Sequence, residues 1–103
     1  MSVTVDDSKK LRVMIVEDDE NITLALKLIL DSNFSCESID IAYDGLEALE
    51  KIQAGNYNLI ISDWNMPHMD GNQLLIKIRE DKKIKKLPFL MLTVRKDIES
   101  VSA

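Results

Sequence analysis

The sequence has little of what several protein classes require. It contains one cysteine, Cys36, which cannot form a disulfide within the chain. It has no signal-peptide pattern and no apolar run of the roughly 18 residues that a transmembrane helix needs. Lys and Arg (13) are outnumbered by Asp and Glu (18), giving a formal net charge of -5, whereas nucleic-acid-binding modules carry a basic face. We therefore expect a cytoplasmic protein that binds neither nucleic acid nor a membrane.

The length and composition fit one globular domain. With 103 residues, of which 46% are hydrophobic and 30% charged, the chain can build a single core of modest size. We expect this domain to span residues 11–103 and to follow a flexible N-terminal extension, residues 1–10. Positive charge is concentrated in a lysine-rich run at 82–86, which we interpret as a solvated loop, with a docking patch for an acidic partner as the alternative.

Apolar stretches of strand length alternate along the chain with stretches of helical period. This alternation is typical of a parallel sheet built from βαβ units, so the predicted fold class is α/β. The first predicted strand is almost continuously apolar and should lie centrally, while the second alternates polar and apolar residues as an edge strand does. The predicted strands are 11–16, 37–42, 59–63 and 88–93, and the predicted helices are 20–31, 44–55 and 70–81.

The first two predicted helices carry features beyond their period. Leu24 and Leu28 widen the apolar stripe of the first helix more than packing on a sheet requires, so we expect a second helix beside it. In the second helix, Asp44 and Glu47 have the spacing of a capping box, and Leu46 is predicted to face inward.

Polar side chains follow three of the predicted strands at the point where each strand ends. Glu17, Asp18 and Asp19 come after the first strand, and Asp63 and Thr93 end the third and fourth. The carboxyl ends of parallel strands meet at one edge of a sheet, so we expect these groups to converge. Clustered carboxylates repel one another unless a cation neutralises them, and an all-oxygen set suits Mg²⁺. The alternative is that these acids only cap helix starts on a wet surface.

Asp63 differs from the other acids because it ends a predicted buried strand and precedes an irregular loop. A carboxylate can attack phosphorus and form an acyl phosphate. The protein then needs mainly to position the group and to offset charge on the phosphoryl oxygens, to which the Thr93 hydroxyl can donate a hydrogen bond. These features indicate phosphoryl capture on Asp63.

Three segments together resemble the motifs of bacterial response-regulator receiver domains. They are VMIVEDDE, IISDWNMPHMDG and LPFLMLT, which occur in the family's order and extend the resemblance from about Leu11 to the end of the chain. The resemblance implies a flavodoxin-like doubly wound parallel sheet of order 2-1-3-4. The family's fifth strand and fifth helix are lacking, so we expect a receiver domain truncated at its C-terminus.

The resemblance also implies a phosphorylation switch rather than an enzyme. It makes Asp63 the phospho-acceptor, Thr93 the switch hydroxyl, a sensor histidine kinase the phosphodonor and a downstream protein the target. It implies Mg²⁺ bound by the side chains of Glu17, Asp18 and Asp63 and by the backbone carbonyl of Asn65.

The residues between Asp63 and the third helix have more modest interpretations. Gly71 is predicted to let the chain turn where a Cβ would not fit. Trp64 is interpreted as packing over the site, with a partner contact as the alternative. His68 has no assigned role and is not expected to be a ligand.

The departures from the family carry their own expectations. The family's fifth strand ends in a lysine that grips the phosphoryl group, and no lysine of this sequence is assigned that role. We therefore expect slow transfer to Asp63 or a poorly held product. We also expect self-association or domain swapping through the bare helix face and the open edge of the fourth strand.

Two other functions remain as alternatives. One is a receiver-like structural or dimerisation module that is not phosphorylated. The other is a metal-dependent phosphohydrolase that uses Asp63 as nucleophile, which is less favoured because Asn65 stands where a second acid is usual.

Overall fold

The computed structural model describes residues 10–92, which form one parallel sheet with helices on both faces. The strands lie in the order β2-β1-β3-β4, and all neighbouring pairs are parallel. The elements are β1 (Leu11–Val16), α1 (Glu20–Asn33), β2 (Cys36–Ala42), α2 (Gly45–Ala54), β3 (Leu59–Asp63), α3 (Gly71–Glu80) and β4 (Phe89–Leu92). The predicted fold class and strand order are confirmed, and each described element lies within two residues of its prediction.

The central strand β1 supplies both halves of the core. Successive side chains of a strand point to opposite faces of the sheet. Met14 and Val16 therefore pack with α2 and α3, while Val13 and Ile15 pack on the other face with Leu30 of α1. These four side chains of β1 are fully buried, which explains the almost continuous apolar sequence of this strand.

Each of the three helices within residues 10–92 begins with an aspartate N-cap. Asp19, Asp44 and Asp70 accept backbone N–H groups of the first turns of α1, α2 and α3, which satisfies donors that have no partner within the helix. Every helix follows the carboxyl end of a strand, so these caps gather at one edge of the sheet. At Asp44 the predicted box is altered, because the Glu47 side chain accepts the backbone N–H of Tyr43.

The prediction that Leu46 faces inward is wrong. Leu46 is 49% exposed, and α2 instead buries Ala48 and Ile52. Those two residues are four apart and share one side of the helix, whereas Leu46 is two residues before Ala48 and points away from that side. The Asp44 cap fixes the residue at which the helix starts. The start of the helix and its docking on the sheet together determine which side chains are buried.

The described part of the chain leaves one helix face and one sheet edge open. Leu24 and Leu28 of α1 are 58% and 59% exposed, so nothing within residues 10–92 covers this predicted apolar surplus. β4 is the outermost strand on its side of the sheet over the same residues.

No helix in this range is long and apolar enough to cross a membrane. The N-terminal extension up to residue 9, Thr93 and the helical pattern from Lys96 lie outside the described residues.

Candidate functional site

The carboxyl ends of β1 and β3 bring three acidic residues together. These strands are neighbours, with Val16 opposite Ser62, so the residues that follow, Glu17 and Asp63, meet at the sheet edge. One carboxylate oxygen from each of Glu17, Asp18 and Asp63 lies within 4.8 Å of the other two. The structure therefore brings together the three side chains that the sequence predicted as metal ligands.

The three carboxylates differ in their access to solvent. Glu17 and Asp63 are 2% and 3% exposed, whereas Asp18 is exposed. Burial of several negative charges side by side is unfavourable unless a cation or hydrogen-bond donors compensate them. Two oxygens on one ion lie at most twice the metal–oxygen distance apart, about 4.2 Å for Mg²⁺ and about 5 Å for Ca²⁺. The all-oxygen chemistry of the cluster thus fits a hard divalent cation, and its 4.8 Å bound lies between the largest separations for Mg²⁺ and Ca²⁺.

Asp19, the third acid after β1, has a different position. Its Oδ1 accepts the backbone N–H groups of Asn21 at 2.9 Å and Ile22 at 3.4 Å, so it caps α1. Its own backbone N–H donates to Oε2 of Glu17 at 2.8 Å, which helps to orient that carboxylate. Of three adjacent acids, the structure places Glu17 and Asp18 in the cluster and uses Asp19 as a helix cap.

Asp63 sits where β3 passes into the β3–α3 loop (residues 64–70). Its Oδ1 accepts the backbone N–H of Trp64 at 2.7 Å, and the carbonyl oxygen of Trp64 accepts the N–H of Gly71 at 2.8 Å. The first residue of α3 therefore lies against the end of β3. A Cβ on Gly71 would collide with the backbone carbonyl oxygen of Asp63, which confirms the predicted need for glycine.

The far end of the β3–α3 loop is attached to the start of α2. The backbone N–H of Gly45 donates to the carbonyl oxygen of Met69 at 3.1 Å, and the Met69 side chain is buried in the core. Beside this contact, Nδ1 of His68 lies 2.7 Å from Oδ2 of Asp44. Sequence reasoning assigned His68 no role. The available signal was topological, since α2 begins at the same sheet edge as this loop.

The same contacts shift the pKa of Asp44. Its pKa is lowered chiefly because the carboxylate accepts the backbone N–H of Glu47, and secondly because it is hydrogen-bonded to His68. The structure therefore favours the charged form of Asp44, which accepts a hydrogen bond from the start of α2 and contacts His68 of the β3–α3 loop at the same time.

The remaining predicted site residues lie in or beyond this loop. Asn65 is exposed, two residues after Asp63. Trp64, which directly follows Asp63, is 44% exposed. Thr93 lies outside the described residues, so its predicted role as the switch hydroxyl stays a prediction.

Comparison with known proteins finds one family. The family model described as the response regulator receiver domain matches residues 13–103. The chemotaxis protein CheY-3 of Vibrio cholerae is 36% identical over 95 residues, which cover 91% of this chain and 72% of that protein. The chemotaxis protein CheY of Pseudomonas aeruginosa is 37% identical over 84 residues, covering 81% of this chain and 66% of that one. The solved structure of the chemotaxis response regulator CheY4 of Vibrio cholerae superposes with a TM-score of 0.76 at 32% identity, covering 91% of this chain and 77% of that chain.

Proposed function

This chain belongs to the family of response regulator receiver domains, and from that premise we propose that it is a phospho-acceptor switch of a two-component signalling system. The proposed acceptor is Asp63, and the proposed donor is the phosphohistidine of a sensor histidine kinase. Modification of Asp63 changes the affinity of the domain for a downstream protein target.

The observation that carries the proposal is the convergence of Glu17, Asp18 and Asp63 within 4.8 Å at the carboxyl edge of the sheet. In an open α/β sheet this edge is where ligands bind. A buried carboxylate held at such an edge, with a loop leading away from it, is suited to accept a phosphoryl group.

We propose that Mg²⁺ binds the side chains of Glu17, Asp18 and Asp63 and the backbone carbonyl of Asn65. When bound, the ion offsets negative charge on the phosphoryl oxygens. In the transfer, a carboxylate oxygen of Asp63 forms a bond to phosphorus, and the bond from phosphorus to the donor imidazole nitrogen breaks. The backbone N–H of Trp64 orients the acceptor carboxylate through its bond to Oδ1, and Thr93 is proposed to donate to the phosphoryl group.

The proposed role is that of a signalling domain which turns over no substrate of its own. Its proposed partners are proteins in the cytoplasm, and nucleic acid and membranes have no part in it. The lysine-rich run at 82–86 follows α3, at the sheet edge opposite the acidic cluster, and is not part of the proposed phosphoryl site.

The proposal is tested by incubating the chain with acetyl phosphate and Mg²⁺ and measuring its intact mass. We expect a gain of one phosphoryl group in the wild type and none in Asp63→Asn, which keeps the side-chain shape but forms no acyl phosphate. An equal gain in both proteins, or no gain in either, would overturn Asp63 as the acceptor.

The alternative is a receiver-like structural or dimerisation module that is not phosphorylated. The observation favouring it is the exposed apolar face at Leu24 and Leu28 of α1, which offers a surface for association without any chemistry at Asp63. Under this alternative the intact mass stays unchanged with acetyl phosphate while the chain self-associates.

A further inference from the structure

We infer that His68 is a positioning residue that ties the β3–α3 loop to the N-terminus of α2 and so supports cation binding beside Asp63. The inference rests on the proposed function, because it concerns the proposed metal site. It assigns a role to a residue outside the ligand set, through its contact with Asp44.

The first support is the backbone conformation of His68. Its φ is 68°, a positive value that no other non-glycine residue has within residues 10–92. Side chains with a Cβ rarely adopt this left-handed region, although Asn, Asp and His do so more often than others. Such a conformation persists where surrounding contacts hold it. The contacts that hold His68 are therefore part of what shapes the loop.

The second support is that the two carboxylate oxygens of Asp44 have different partners. Oδ1 accepts the backbone N–H of Glu47 at 2.8 Å and caps α2. Oδ2 lies 2.7 Å from Nδ1 of His68, and the Asp44 side chain is 19% exposed. One carboxylate thus joins the start of a helix to the loop that follows the proposed acceptor.

The third support is the short distance along the chain between two fixed points of the loop. Trp64 is held to Asp63 and Gly71 by its N–H and carbonyl groups, and Met69 is held to Gly45. Only residues 65–68 lie between these anchors. Fixing His68 therefore limits the course of Asn65, whose carbonyl is a proposed ligand.

Loss of the tie is expected to weaken cation binding while leaving the three carboxylates in place. Glu17 and Asp18 follow β1 and Asp63 ends β3, so the sheet sets the backbone positions of all three. Loss of a partner outside the ligand set commonly costs about 10-fold or more in metal affinity. Because the His68 side chain is 65% exposed and acts through the loop, we expect a loss of about 3- to 10-fold.

The test is a Mg²⁺ titration of the full chain, followed by the fluorescence of Trp64, the single tryptophan of the sequence. His68→Gly removes the tie and accepts a positive φ without strain. Asp44→Ser removes the tie from the other side, since serine remains a good N-cap but has a single oxygen. We expect each variant to bind Mg²⁺ about 3- to 10-fold more weakly, and the double variant to bind no more weakly than either, because both remove one interaction.

A matched control separates the tie from a simple change of charge. Asp70→Ser removes the same charge from the N-cap of α3, at the same sheet edge, and leaves the His68–Asp44 contact intact. We expect its effect on Mg²⁺ affinity to be smaller and to add to that of His68→Gly. Thermal unfolding of the same samples supplies a second readout, since a merely structural His68 would lower Tm with Mg²⁺ affinity unchanged.

The outcomes distinguish this inference from the proposed function. If the wild type shows no saturable Mg²⁺ response, the proposed metal site is overturned and the inference with it. If the wild type binds Mg²⁺ and both His68→Gly and Asp44→Ser bind it equally well, only the positioning role is overturned. Additive losses in the double variant would also contradict it.

Discussion

At the scale of single residues, the described structure depends on carboxylates that accept backbone N–H groups. Asp19, Asp44 and Asp70 cap helices, and Glu17 accepts the N–H of Asp19. Chemically similar acids at one edge of the sheet therefore have different roles. Some cap the N-termini of helices, while Glu17, Asp18 and Asp63 form the cluster. The distinction lies in which donors each side chain meets, not in residue type.

Two of these acids predict how stability depends on pH. The pKa of Asp44 is lowered below its ordinary 3.8, chiefly by the backbone N–H of Glu47. The pKa of Glu47 is lowered below its ordinary 4.5, chiefly by the backbone N–H of Tyr43. A lowered folded-state pKa stabilises the fold above the unfolded-state pKa, and this contribution is lost as pH falls through the folded-state pKa.

We therefore expect the wild type to lose more stability than Asp44→Asn/Glu47→Gln when pH is lowered from about 6 to about 3, because the neutral variant has no charge to lose at these positions. Urea denaturation at each pH measures the difference, and the remaining carboxylates are common to both proteins. Parallel stability curves for the two proteins would contradict the prediction.

At the scale of elements, loops are held by hydrogen bonds from side chains at the end of the neighbouring helix. The lysine-rich run at 82–86 shows this at the edge opposite the acidic cluster. The Arg79 guanidinium donates to the carbonyl oxygens of Lys85 and Leu87, both at 2.8 Å, and the Asp81 side chain accepts the N–H of Lys83 at 2.9 Å. The run is therefore a folded turn that presents exposed lysines. Both interpretations of this run, as a solvated loop and as a docking patch for an acidic partner, stay predictions.

The approach of α3 to β3 gives an element-scale prediction. A Cβ at Gly71 would meet the Asp63 carbonyl oxygen and lie 2.8 Å from the Met91 sulfur, so Gly71→Ala forces the helix start away from the strand end. Overpacking of this kind costs about 1–3 kcal/mol, which urea denaturation can measure. The exposed neighbour Asn72 supplies the control, since Asn72→Ala is expected to change stability by less than about 0.5 kcal/mol. Equal stability of Gly71→Ala and the wild type would show that the strand and helix separate without cost.

At the scale of the whole molecule, apolar surface on one side of the sheet is left uncovered by the other residues of the range 10–92. Leu90 of β4 is 50% exposed. It pairs with Ile61, whose side chain packs in the core cluster that contains Leu30 of α1. Leu90 therefore points to the α1 side of the sheet. Exposed apolar surface on a small domain favours association.

We expect the chain to self-associate at micromolar concentration, as predicted from its apolar pattern. Light scattering should show a mean mass that rises with concentration, because two copies can bury their α1 faces or open β4 edges against each other. Leu24→Gln/Leu28→Gln should lower the mean mass, whereas Ile76→Gln, at a site 48% exposed on α3, should not. A folded monomer at all these concentrations would contradict the prediction.

The sequence by itself determined the class of each element and the edge at which the acids gather. The apolar runs and helical periods are local signals, because side-chain direction repeats every two residues in a strand and every 3.6 in a helix. Parallel strands then send all their carboxyl ends to one edge, so the meeting of Glu17, Asp18 and Asp63 could be predicted without coordinates. The close approach at Gly71 could also be predicted, because a glycine at the junction of a loop and a helix lets the chain turn where a Cβ would not fit.

Only the tertiary structure decided which neighbour each side chain meets. Leu46 faced outward, and His68 met Asp44, 24 residues away in the chain. Sequence period has no information on these outcomes, because they depend on where a helix starts and on the path of a loop across another element. Those are set by packing among residues far apart in sequence, which no local pattern contains.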